Sequence, residues 1–185
     1  MMDAMFRDTE QRMSKAISAL RSDLLSIRTG RASPALIEDI PVQAYESTLP
    51  LNQVATISVP EPRLLMVRPW DVNILPAIER AILKSDVGLT PNNDGTVIRL
   101  AIPSLTDERR RELSRLVGQR VEETRVTIRN LRREALRNLE KQEQNGEISE
   151  DAFYRAKERL QELTDEYIEK ADQLGEQKQA EVMEV

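Results

Sequence analysis

All nine prolines of this 185-residue chain lie between positions 34 and 103 (Pro34, Pro41, Pro50, Pro60, Pro62, Pro69, Pro76, Pro91 and Pro103), and none occurs in residues 1–33 or 104–185. Proline removes a helical hydrogen bond and its ring clashes with the preceding turn, so a helix interior excludes it. The two flanks are therefore free to form long unbroken helices. The centre must be built from strands, turns and at most a short helix, and it reads as an insertion into a helical domain.

The flanks carry the matching periodicity. Phe6, Met13, Ile17, Leu20, Leu24 and Ile27 alternate steps of three and four once position 10 is polar, and Gly30 suits a left-handed C-terminal cap. A second helix is expected to start at Thr106, with Asp107 and Glu108 in its positive first turn. It runs through Leu113, Val117, Val121, Thr124, Ile128, Leu131, Ala135 and Leu139, with Gly118 as a weak point costing roughly 1 kcal/mol relative to alanine. After the Asn145-Gly146 turn, Ser149 is an N-cap ahead of Glu150 and Asp151, which complement the helix dipole. A third seam follows at Phe153, Ala156, Leu160, Leu163, Tyr167, Ala171 and Leu174. Three helices with one narrow apolar seam each bury those seams together as a three-helix bundle.

Between the flanks, VATISV (54–59), LLMVRPW (64–70) and TVIRLAIP (96–103) are β-rich runs set off by PEP and NNDG turns, and Ile74, Ile78 and Ile82 mark a short helix starting near Pro76. The expected class is α+β: a discontinuous bundle of residues 1–30 and 104–185 holding a small α+β domain, 31–103. Two adjacent connections, at Gly30-Arg31 and Pro103-Ser104, make a hinge there. Trp70, beside Pro69 at the end of an apolar strand, reads as small-domain core, the alternative being exposure at a partner interface.

Composition narrows the chemistry. With no cysteine and no histidine the chain has no thiolate, no disulfide and no imidazole, so neither a catalytic set nor a metal site is expected, and no cofactor. No run approaches the ~18 apolar residues of a membrane span, and the N-terminus lacks the pattern of a leader, so a cytoplasmic protein without membrane contact is expected. With every apolar stripe used inside the bundle, a monomer is expected.

The net charge is −5, yet RVTIRNLRREALR (125–137) holds five arginines in thirteen positions. From Arg109 to Arg137 ten basic residues face four acidic ones without a single lysine, whereas residues 143–185 hold thirteen acidic against five basic. On a helical wheel Arg125, Arg129 and Arg132 fall together about 90° from the seam, with Arg133 at their edge. One reading is that this stripe pairs with the acidic third helix, in contacts of about 0–1 kcal/mol each. The other is that it grips phosphate, for which arginine's planar fork is suited and lysine's point charge less so. A single-strand RNA chaperone is the poorest fit, since two Phe, three Tyr and one Trp supply few stacking platforms.

IRTGRASPALI (27–37), IRLAIPSLTDERRREL (98–113), TIRNLRREA (127–135) and ISEDAFYRAKERLQELTDEYIEK (148–170), in this order and spacing, resemble the bacterial ribosome recycling factor family across nearly the whole chain. The resemblance implies a three-helix bundle with a small β/α/β domain inserted between helices 1 and 2, an L of about transfer-RNA size. It also implies binding to the ribosome between its subunits, against large ribosomal subunit RNA, with elongation factor G and its GTP hydrolysis driving the subunits apart. Neither G-x-x-x-x-G-K-[ST] nor G-x-G-x-x-G occurs here, in keeping with hydrolysis by that partner. By position, Arg129, Arg132 and Arg133 are implied RNA contacts, with Arg110 a further candidate, and Gly30 and Arg31 fall at the implied hinge; the stripe adds Arg125 as a supporting RNA contact, and the second connection adds Pro103 and Ser104 to the hinge. The chain departs from the family's usual aspartate, alanine, asparagine, aspartate after the arginine word, having Glu134, Ala135, Leu136 and Arg137.

Overall fold

The structure is a computed structural model in which residues 2–184 are described. In chain order its elements are α1 (Met2–Ser26), β1 (Pro41–Ala44), β2 (Ser47–Pro50), β3 (Ala55–Glu61), β4 (Leu64–Pro69), α2 (Leu75–Lys84), β5 (Pro91–Asn93), β6 (Ile98–Ala101), α3 (Asp107–Gln144) and α4 (Glu150–Met183). They divide into two compact units, Met1–Thr29 with Asp107–Val185, and Gly30–Thr106.

In the first unit, α1, α3 and α4 pack pairwise. The 38 residues of α3 make it about 57 Å long. Its buried positions are Leu113, Val117, Val121, Thr124, Ile128, Leu131, Ala135 and Leu139, the seam set by apolar spacing. Chain reversal follows from Gly146, at φ 71°, with the amides of Gly146 and Glu147 donating back to Glu143 and Gln142. Ser149 then caps α4 by accepting the Ala152 amide at 3.2 Å. Phe6 of α1 sits with Ala135, Leu139, Ala156 and Leu160 in one cluster. Since Asp3 also meets Arg159, α1 runs parallel to α4 and antiparallel to α3.

Two seams differ from their apolar reading. In α4, Thr164 and Gly175 are buried where apolar spacing predicts Leu163 and Leu174, and those leucines are only partly covered one residue to the side. Thr164 buries its hydroxyl by donating to the Leu160 carbonyl at 2.7 Å, which satisfies the polar atom inside the helix. Gly175 is there because α3 comes close: a Cβ at that position would stand 2.6 Å from Val121 Cγ2. In α1 the gap between Phe6 and Met13 is filled by buried Thr9. That helix ends at Ser26, short of Thr29-Gly30, as the Ser26 hydroxyl turns back onto the Asp23 carbonyl at 2.6 Å.

The second unit contains more strand than the sequence suggests. An antiparallel sheet runs β3-β4-β6-β5, and β1 and β2 form a separate hairpin with Pro41 opposite Pro50 and Ala44 opposite Ser47. The hairpin turns through Tyr45 and Glu46, both at positive φ (50° and 61°), without the Asn-Gly signature that marks such turns. Tyr45 Oη donates to Asp71 Oδ2 at 3.0 Å. Leu65 and Val67 of the central strand, Ile98 and Leu100 of β6, and Leu75, Ile78 and Ile82 of α2 form the core.

Trp70 is a correction: it is 67% exposed. In β4 the buried residues are Leu65, Val67 and Pro69, so the pleat sends the alternate set outward, and Trp70 continues that set after Arg68. Its amide still pairs with Val54, and its indole N–H donates to Thr56 Oγ1 at 2.9 Å.

Both chain ends of this unit are tied to the β3–β4 turn. The Ala32 amide donates to Pro62 at 2.7 Å and the Ile102 amide to Arg63 at 2.8 Å. Gly30 has φ 76°, and a Cβ there would approach Leu105 Cγ to 3.2 Å.

The two helical glycines of the bundle should respond oppositely to alanine. Gly175→Ala should lower stability by about 1 kcal/mol, overpacking of about 1–3 kcal/mol against the stiff Val121 being partly offset by helix propensity. Gly118→Ala meets only Gln179 Nε2 at 3.9 Å and should raise it by up to about 1 kcal/mol. Urea unfolding of both variants, and of Gly175→Ala combined with Val121→Ala as the rescue, measures this; a stabilising Gly175→Ala would mean the α3/α4 spacing yields freely.

Candidate nucleic-acid interface

Burying the α3 seam fixes where its arginines emerge. Arg125 and Arg132 leave the helix on the flank that faces α4 and reach across to it, and Arg129 shares their row. Glu134 lies on the flank that faces α1, where both its oxygens accept from Arg12, at 2.8 and 3.0 Å. That bidentate contact holds the Glu134 carboxyl below the usual carboxylate range.

The arginines differ in how far the bundle already neutralises them. Arg125 donates from Nε to Asp172 Oδ1 at 2.7 Å and from Nη1 to Glu122 Oε2 at 2.9 Å. Its own pKa is raised by these contacts, Glu122 first and Asp172 second, and Glu122 is held low chiefly by the Arg125 hydrogen bond. Arg129 has only a longer 3.4 Å contact to the other oxygen of that same Glu122. Arg132 meets a neutral amide, Gln161 Oε1, at 3.1 Å, and Gln161 passes its own N–H to Asp165 at 2.8 Å. Arg133 likewise meets the neutral Asn130 Oδ1 at 3.2 Å. So Arg125 belongs largely to the α3–α4 contact, whereas Arg129, Arg132 and Arg133 present charge that shared or neutral partners leave available to an anion.

Arg110 stands apart. Its side chain is 14% exposed, its Nε is buried without a hydrogen bond, and its nearest carboxylate, Asp107, is 3.5 Å away. Nineteen residues separate it from Arg129, about 28 Å along the helix. The structure therefore brings Arg125, Arg129, Arg132 and Arg133 together and leaves Arg110 outside the group. The wheel could place the row but not its partners; counted from the facing ends of α3 and α4, Asp172 and Gln161 lie about as far into α4 as Arg125 and Arg132 lie back into α3, and an antiparallel hairpin register would have pointed to them.

Among the described residues no cluster of three or more potential metal ligands occurs, and no helix is long and apolar enough to cross a membrane.

A family model described as ribosome recycling factor matches residues 20–183. The chain belongs to the ribosome recycling factor family. A ribosome-recycling factor of Roseiflexus sp. (strain RS-1) is 56% identical over 185 residues, covering all of both chains, and one of Natranaerobius thermophilus is 54% identical over 181 residues, 98% of each. Among solved structures, a solution structure of a ribosome recycling factor shares 45% identity at a TM-score of 0.75, covering 100% of this chain and 98% of that one. Models of the T. thermophilus ribosome recycling factor, bound with E. coli elongation factor G to the E. coli post-termination complex, match at 46% identity and a TM-score of 0.64 over the full length of both chains. The α+β architecture, a helical bundle with a small sheet unit, is shared with these structures.

Arg125→Ala should destabilise the bundle by about 1 kcal/mol, the upper range for a surface ion pair, because it opens the α3–α4 contact to Asp172. Arg133→Ala should stay within about 0.5 kcal/mol of the parent. Thermal unfolding followed by circular dichroism separates the two; equal effects would show that the Arg125 contacts contribute nothing to the fold.

Proposed function

We propose that this protein recycles ribosomes: it enters the post-termination complex between the subunits, seats its bundle on large-subunit RNA, and acts with elongation factor G, whose GTP hydrolysis drives the subunits apart. The observation that supports the RNA contact is the row of Arg129, Arg132 and Arg133, three planar cations on one helix whose partners inside the protein are a shared carboxylate and two neutral amides. Phosphate offers such guanidinium groups what those partners do not, a full counter-charge in bidentate geometry. Because the whole chain is acidic, binding is confined to this face, and indiscriminate attraction to nucleic acid is suppressed. The protein performs no covalent chemistry itself; it works as a monomer in the cytoplasm, and the energy of splitting comes from its partner.

The same reading gives Gly30, Arg31, Pro103 and Ser104 the role of a hinge. Two features support it: the connections at Gly30 and Leu105 lie side by side, and Gly30 holds a left-handed φ that a side chain would strain. Movement at such a point lets one unit swing while the other stays seated.

Two experiments test these roles. The double variant Arg129→Ala with Arg132→Ala should keep its helical circular dichroism and melting temperature, yet lose sedimentation with purified large subunits and lose recycling. Normal binding by this folded variant would place the RNA face elsewhere. Gly30→Val should leave subunit binding within a few-fold of the parent while slowing splitting driven by elongation factor G and GTP. Binding and splitting falling in proportion would remove the hinge from the mechanism.

A further inference from the structure

Arg137 lies one helical turn beyond Arg133 and two beyond Arg129, at i, i+4, i+8 on α3, so the three Cα positions span about 12 Å along the helix. It is exposed and makes no hydrogen bond or ion pair with any described residue. Of the carboxylates on its own helix, Glu140 at i+3 is exposed and makes no ion pair with it, and Glu134 at i−3 is engaged on the other flank. Glu134 has both oxygens on Arg12. Leu136, its neighbour in sequence, turns the other way and packs against the apolar cluster around Leu139 and Leu160. One side of the helix at this level is thus anchored in the core while the other carries an uncompensated guanidinium.

We propose that Arg137 is a further RNA-binding residue, and that Arg129, Arg133 and Arg137 form a ladder along which a continuous stretch of RNA backbone lies, rather than a pocket for one phosphate. Cations repeating at about 6 Å on adjacent turns match a polyanion that runs along the helix, since each can take a different phosphate and release a different counterion. A compact acidic patch on a protein would instead call for clustered cations. The inference rests on the RNA-binding reading of the α3 row and extends it by one turn towards the α3 C-terminus.

The test is the salt dependence of binding to purified large ribosomal subunits for the parent, Arg137→Ala, Arg137→Glu, and the Arg129→Ala with Arg132→Ala double variant. With Arg137→Ala the affinity should fall several-fold at low salt. The magnitude of the log-affinity against log-salt slope should drop by up to about 0.7–0.9, the value for one phosphate contact. Arg137→Glu should bind more weakly still, and both should melt with the parent. An Arg137→Ala protein with the parent's slope and affinity, beside a double variant that fails to bind, overturns the ladder and leaves the reading of Arg129 and Arg132 standing. A double variant that binds normally overturns that reading and the ladder together.

Discussion

The apolar seam of α3 is the constraint on which everything else depends. It runs from Leu113 to Leu139 with hardly a break, and α3 packs against both other helices of the bundle. Once it is buried, the flanks of α3 are assigned: Arg12 finds Glu134 on one flank, Arg125 finds Asp172 on the other, and Arg133 and Arg137 are left exposed. Hydrophobic burial positions the charges, because an ion pair of about 1 kcal/mol could not orient a 38-residue helix against an apolar face whose individual leucines contribute about 1.5–3 kcal/mol each. The same burial decides that Gly175 must be a glycine, since the seam residue Val121 occupies the space a side chain would need.

The charge pattern then divides into two roles on one helix. The sequence contrast between a basic α3 and an acidic α4 invites the view that the two helices simply neutralise each other. The contacts support that view at Arg125 and not beyond it. At Arg132 the acidic helix presents an amide where a carboxylate could have been, and Asp165 stands one hydrogen bond further back. An amide holds the guanidinium in place without cancelling its charge, which suits a group that must be ordered yet remain attractive to an anion. Orienting a long side chain beforehand also reduces the rotamer entropy lost when it binds.

Much of this was legible from the chain alone because it rests on strong local signals. Proline exclusion and the three-four spacing gave all three long helices, and the α3 seam matches residue for residue. The departures share a cause: geometry overrides hydropathy. Leu163 and Leu174 are more apolar than Thr164 and Gly175, yet the close approach of α3 and a satisfied hydroxyl put the latter inside. Trp70 is the bulkiest residue of its run, and strand alternation turns it outward. The β1–β2 hairpin carries no clear sequence signal, because its strands are four residues each, bounded by Pro41 and Pro50, and its turn uses Tyr45 and Glu46 in a conformation that glycine or asparagine normally signals. The arginine row was visible on a wheel; the partner of each arginine was not, because it depends on the register between two helices.

The double tether of the inserted unit has a consequence for how the chain reaches its native state. Arg12 and Glu134 are 122 residues apart in sequence, and α1 leaves the ribosome well before the α3 it must pack against has been made. Closing a flexible loop of the insertion's length is entropically costly. In the folded insertion, however, Gly30 and Leu105 are already neighbours and both ends are pinned to the β3–β4 turn. If the insertion folds first, the loop separating α1 from α3 shrinks from a whole domain to a few residues, which lowers the closure cost by about 2–3 kcal/mol. The small unit thus acts as an intramolecular splint: a contact between residues far apart in sequence becomes, kinetically, almost a local one.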